Sequence, residues 1–165
     1  VSDRQAYSGM AVTGIDAKGR AAIPAFLRAA LDRNGAESRV IIAESANAPC
    51  LIGFDPAYLE ANRAKYGSRA DARLDAGEAV DTNIARLAFA LNDIASYDSS
   101  GRFVLPPFPA MKAGLDKTGP VLFAGLGDTF EIWNPDLLEA DANVHPAFKE
   151  RALFCLSQWK KGGKG

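Results

Sequence analysis

Short β-compatible runs alternate with turn signals in the first third of the chain. YSGMAVTGI (7–15) contains glycine but is compatible with a strand. Asp16-Ala17-Lys18-Gly19 follows as a turn, because Gly19 takes positive φ at no steric cost. Arg20 opens a second short strand, RAAI, so the segment reads as a β-hairpin. Pro24 suits the first turn of a short helix, with Phe26, Leu27, Ala30 and Leu31 as its apolar face. RVIIA (39–43) and CLIGF (50–54) are aliphatic and read as another hairpin. Later in the chain, residues 120–133 predict two strands joined through Gly125, Gly127 and Asp128. Asp55-Pro56 and Asn134-Pro135 look like helix starts, an N-cap residue followed by a proline. A stripe of Ile84, Leu87, Ala88, Leu91 and Ile94 predicts a helix over 82–96. A last helix is predicted over 146–161, where Phe148, Ala152, Cys155, Leu156 and Trp159 share a face. Lys160 and Lys161 sit near its end, and Gly162 can stop it. GSRADARLDAG (67–77) reads as a linker.

These elements recur in order. Asp16, Gly19, Arg20, Ile23, Pro24 and Phe26 align with Asp98, Gly101, Arg102, Leu105, Pro106 and Phe108 at an offset of 82. FDPAYLEA (54–61) aligns with WNPDLLEA (133–140) at an offset of 79. The chain therefore divides into a first repeat (7–61), a helical linker region (62–88), a second repeat (89–140), and a C-terminal helix with a short KKGGKG tail (141–165). The expected fold is α+β: two β-hairpin repeats form one pseudo-symmetric β core with peripheral helices. The apolar faces of the 82–96 and 146–161 helices are expected to touch that core, with some contact to a neighbouring subunit.

Composition narrows the function. A chain of 165 residues, 48% hydrophobic and 24% charged, fits an ordinary globular protein. No apolar run approaches the roughly 20 residues of a membrane helix. VSDRQAYSGM has no apolar core like that of a signal peptide, so the expectation is a cytoplasmic protein with no membrane partner. Net charge is −1, unlike a strongly basic nucleic-acid binder. Residues 1–40 carry six basic and four acidic side chains; residues 41–97 carry five and eight. The charge is thus mildly positive first and acidic in the middle.

Catalytic chemistry finds little support. The sole histidine, His145, precedes Pro146 at a helix start. Cys50 and Cys155 lack metal-ligand spacing and read as reduced packing residues. GLGD (125–128) lies between two strands and reads as a hairpin turn rather than a phosphate loop. No enzyme, metal or cofactor is expected. The duplicated Asp-x-x-Gly-Arg has two readings. Asp can hold its own turn and pair with Arg across it, a structural role. Alternatively the Arg forks project from rigid turns toward phosphate or guanine edges. The residues alone leave both open.

YSGMAVTGIDAKGRAAIPAFLRAAL, DSSGRFVLPPFPAMKAGL and VLFAGLGDTFEIWNP together resemble the MraZ family, a tandem pair of AbrB-type swapped-hairpin units. The likeness covers most of residues 7–140, from Tyr7-x-Gly9 to Phe130-Glu131-Ile132-Trp133. It implies a bacterial transcriptional regulator associated with the nucleoid, usually a repressor of the division and cell-wall gene cluster. It further implies binding of double-stranded promoter DNA at G-rich direct repeats by a ring-shaped homo-oligomer. By motif position Arg20 and Arg102 would contact DNA, with Lys18, Arg28 and Lys112 as further basic contacts. Asp16, Gly19, Asp98 and Gly101 would hold the turns. Ser100 stands where the first turn has Lys18, so the second turn carries less positive charge. Several weak sites on one ring would bind arrays of boxes far more tightly than a single box. The rival readings are an AbrB-like antitoxin directed at a protein, or an oligomeric adaptor without specific DNA binding.

Overall fold

A computed structural model describes residues 3–162 of the chain; the end of the lysine-glycine tail lies outside these residues. Among these residues eight strands form one antiparallel sheet: β1 (Met10–Ile15), β2 (Arg20–Ala22), β3 (Arg39–Glu44), β4 (Leu51–Phe54), β5 (Asp93–Ser96), β6 (Arg102–Val104), β7 (Gly119–Gly125) and β8 (Phe130–Trp133). The strand order is β5-β3-β4-β8-β7-β1-β2-β6. The two ends of that order, β5 and β6, are joined by the tight turn 98–101, so the sheet curls into a near-barrel.

The two repeats are interleaved rather than side by side. The first strand of each pairs with the third strand of the other, β1 with β7 and β5 with β3. Strands β2 and β6 pair with each other, as do β4 and β8. This explains the runs RVIIA and PVLFA. Strands β3 and β7 are covered on both faces, so alternation disappears from them. On the inner face Val40, Ile42, Val121 and Phe123 join Ile15, Phe103 and Phe130 in the main core. On the outer face of β3, Ile41 and Ala43 meet Phe54, Tyr58 and Leu59. On the outer face of β7, Leu122 and Ala124 meet Trp133, Leu138 and Ala152.

Among the described residues six helices surround the sheet: α1 (Ala25–Arg33), α2 (Pro56–Asp75), α3 (Thr82–Ala85), α4 (Pro107–Lys112), α5 (Pro135–Ala140) and α6 (Pro146–Lys161). Helix α4 is three residues shorter than α1, and the β7–β8 turn is two residues shorter than the β3–β4 turn. One extra residue before β7 and one within it offset part of these deletions, leaving the drop of three in repeat offset. Both Pro-started helices form as expected, α2 capped by Asp55 and α5 by Asn134. The expected face of α6 also reaches the core: Ala152 is buried, Phe148 packs beside it, and the Cys155 thiol lies against the Met10 carbonyl.

One expectation is corrected. The helix over 82–96 stops early. Helix α3 runs into a single π-helical turn, Arg86–Ala90, and residues 93–96 are strand β5. Here Val40 pairs with Ala95 and Ile41 with Ile94, completing the free edge of β3. A ladder of backbone bonds outweighs a short apolar stripe, whose periodicity does not separate helix from strand. The stripe consequently faces solvent, with Leu87 68% and Ile94 64% exposed, instead of covering the core. The expected linker, 67–77, is mostly the second half of α2. Its Ala, Arg and Leu are strong helix formers, and one internal glycine, Gly67, costs only about 1 kcal/mol.

Candidate nucleic-acid interface

Each Asp-x-x-Gly-Arg turn is built from its own atoms. The Asp16 Oδ1 atom accepts from the backbone N–H groups of Lys18 at 2.9 Å and Arg20 at 3.0 Å. Its Oδ2 accepts from Arg20 Nε at 2.7 Å. The second turn repeats this: Asp98 Oδ1 accepts from Ser100 N and Arg102 N at 2.9 Å each, and Oδ2 from Arg102 Nε at 3.0 Å. The Arg20 and Lys18 backbone N–H groups, with the Arg20 side chain, hold the Asp16 carboxyl below the usual carboxylate range. The N–H groups of Arg102 and Ser100 do the same for Asp98. Gly19 and Gly101 sit at φ +76° and +79°, as the turn requires. A Cβ on Gly19 would meet open space. On Gly101 it would collide with the Arg28 guanidinium and lie 2.7 Å from the Ile23 carbonyl oxygen.

The β2–β6 pair then sets the two arginines together. Arg20 lies opposite Val104, and Ala22 opposite Arg102. Residues directly opposite share a face, as do residues two apart on one strand, so both arginines point outward on the same side. Diagonal neighbours of this kind lie roughly 7–8 Å apart. Ala21 and Phe103, between them, point into the core. The turns are also tied to each other: Ile23 N–H donates to the Gly101 carbonyl at 2.8 Å, and Leu105 N–H to the Gly19 carbonyl at 3.1 Å. With Nε committed to Asp, the Nη groups of both arginines have no protein acceptor among the described residues. Both arginines line a shallow hollow together with Gly14, Ile15, Asp16, Ala22 and Trp159.

The other sequence-derived basic residues divide. Lys18 stands exposed at the tip of the first turn. Arg28, from the first repeat, lies against the second turn, its Nη1 donating to the Ile23 carbonyl at 3.3 Å. Lys112 is not brought to the arginines. It lines a separate hollow with Glu44, Ser45, Cys50 and Leu51. Residues overlooked in the sequence include Trp159, which reads there simply as one apolar position on α6. Also overlooked is the anchor around Asp55, a fully buried carboxylate. It accepts from Arg4 Nη1 and Nη2 at 3.0 and 2.7 Å, Tyr7 Oη at 2.7 Å and Tyr58 N at 2.8 Å. Burial alone would push the Asp55 carboxyl up, but these donors hold it below its ordinary range. Cys50 is buried and its thiol pushed up to about 12, mainly by desolvation, which leaves it unreactive. Among the described residues no group of three His, Cys, Asp or Glu side chains could hold a metal ion. No helix among them is long and apolar enough to cross a membrane.

No family model matches the chain. Curated relatives do. The chain is 32% identical over 139 residues to the transcriptional regulator MraZ of Burkholderia cenocepacia, covering 81% of this chain and 86% of the relative. It is 31% identical over 135 residues to the transcriptional regulator MraZ of Rhodospirillum rubrum, covering 80% and 81%. For that of Burkholderia mallei the identity is 31% over 152 residues, covering 89% and 90%. The chain belongs to the MraZ family. The match to the Burkholderia mallei relative takes in about nine tenths of the chain, more than either repeat alone could supply. The relatives are named as regulators of transcription, not as enzymes.

Proposed function

We propose that the protein is a sequence-specific, DNA-binding transcriptional regulator whose contact face is built on the β2–β6 pair. The observation that carries this is the pair of outward arginines, Arg20 and Arg102, each locked at Nε by an Asp and open at Nη. A fixed guanidinium edge matches a phosphate or the O6/N7 edge of guanine and loses little side-chain freedom on binding. The G-rich direct repeats of a promoter, in the division and cell-wall gene cluster, are the proposed target, and repression at the nucleoid the proposed outcome.

The same geometry argues for many weak sites. Each Arg shares its charge with an Asp, so one face carries little net positive charge beyond Lys18 and Arg28. A ring-shaped homo-oligomer would supply the missing affinity by presenting several faces to spaced repeats. Exposed Leu91, Ile94, Phe108 and Met111 favour subunit contact on the side of the second repeat. Anisotropy titrations should use promoter DNA with one box, three spaced boxes and a scrambled control, at two salt concentrations. Specific binding to three boxes, weak binding to one, and loss in both Arg20→Ala and Arg102→Ala are expected. No preference for the boxes over the scrambled control would defeat the proposal. An Ile94→Asp, Phe108→Asp variant measured by light scattering should fall below the wild-type mass.

A further inference from the structure

The outer face of the sheet beside the arginines is shaped by small residues. Ile15 and Ala21 are paired and point inward, so Gly14 and Ala22 point outward with Arg20 and Arg102. Gly14 and Ala22 therefore form a low floor. Helix α6 crosses β1, and its last turn lays the Trp159 ring over Gly14. A Cβ at Gly14 would stand 3.4 Å from Trp159 Cζ2. Trp159 thus lines the same hollow as Arg20 and Arg102. Trp159 is half-exposed, and its Nε1–H has no protein acceptor among the described residues. The other tryptophan, Trp133, is buried and donates from Nε1 to Glu131 at 2.8 Å. Trp159 is the one whose donor is left for something outside the chain.

The polar side chains that line the hollow are Arg20, Arg102, Trp159 and Asp16, and all but Asp16 can only donate. The carboxylate of Asp16 is already occupied by Arg20 and Lys18. A donor-rich hollow with an aromatic wall fits an anionic oxygen beside a flat apolar surface. The C-terminal end of a helix would by itself repel such an anion, and Lys160 and Lys161, in the last turn of α6, offset that repulsion.

We infer that Trp159 is a further DNA-contact residue, its indole N–H donating to a backbone phosphate of the strand whose neighbouring groups Arg20 and Arg102 engage. This rests on the DNA-binding reading above. Helix α6 thereby belongs to the recognition face as well as to the fold. A phosphate contact positions the duplex without reading a base, so the residue strengthens binding to every sequence alike.

The test is Trp159→Phe, which keeps a ring over Gly14 and removes the N–H. Full-length wild type, W159F and Arg20→Ala are titrated with three-box and scrambled DNA. Titrations are repeated over several salt concentrations, following DNA anisotropy and protein tryptophan emission. W159F should bind roughly 3- to 10-fold more weakly for each subunit engaged, the worth of one hydrogen bond apiece. Its preference for boxes over scrambled DNA should be unchanged, as should the slope of log K against log salt, because no charge is removed. Arg20→Ala should lower that slope by about 1 for each subunit engaged. Wild-type emission should change on DNA binding, and the change should vanish in W159F, where only buried Trp133 reports. Wild-type affinity in W159F overturns the inference while leaving arginine-dependent DNA binding intact. If W159F is less stable to heat, the wild-type emission decides, and emission indifferent to bound DNA overturns it. Failure of the wild type to bind any of the DNA overturns this inference and the DNA reading together.

Discussion

At the scale of single residues, the turns make two separable predictions. Gly19 and Gly101 have the same left-handed backbone, but only Gly101 is crowded. Gly19→Ala should cost about 1–2 kcal/mol for the φ strain alone. Gly101→Ala should cost clearly more, because Ile23 and Arg28 must also give way, and urea unfolding of the two variants compares them directly. The second prediction concerns pH. The folded-state carboxyls of Asp16 and Asp98 are held below their ordinary range. A depressed acid stabilises the fold above its unfolded pKa, and that contribution fades as pH falls through the folded value. The window therefore lies below about pH 4. Melting curves of wild type and Asp98→Asn should differ at pH 6 and converge as pH drops toward 3. Much of this was legible beforehand, because Asp, Gly and Arg within one turn carry their own donors and acceptors. The hydrogen bonds from Lys18 and Ser100 to the Asp carboxylates follow from the same short segment.

At the scale of elements, helix α2 hangs on one buried carboxylate. Asp55 caps the helix and also receives the Arg4 fork and the Tyr7 hydroxyl. Asp55→Ala removes a cap and strands partly buried donors, so a loss of roughly 2–4 kcal/mol is expected. Asn134→Ala, at the equivalent start of α5, removes an exposed cap and should cost about 1 kcal/mol. Equal losses in denaturant titrations would contradict the anchoring role of Asp55. The Asp-Pro and Asn-Pro signals announce both helices. What Asp55 does beyond capping was hidden, since its partners lie about fifty residues earlier in the chain. Strand β5 was misread as helix for the same reason. Its apolar spacing fits a helix, and only the exposed edge of β3 makes the extended form better.

At the scale of the whole molecule, the interleaving of the repeats means that neither closes a sheet alone. Residues 1–77, expressed by themselves, should not fold as a monomer, because β1 lacks β7 and β3 lacks β5. A second copy could in principle substitute for the missing repeat, so any cooperative melting of this fragment should depend on its concentration. A concentration-independent, cooperative melt would show that the pairing between repeats is dispensable.

The sequence by itself determined the turns, the helix starts and the duplication. Each of these is carried by residues a few positions apart, whose hydrogen bonds and allowed backbone angles are local. Tertiary structure decided how the pieces are shared. The β2–β6 register turned two separate arginines into one face, edge pairing made residues 93–96 a strand, and the path of α6 over β1 brought Trp159 to the arginines. The thiol of Cys155 reaches the Met10 carbonyl across 145 positions of chain. Contacts of that span depend on which surfaces remain uncovered once the rest has folded, and no local pattern of apolar and polar residues encodes that.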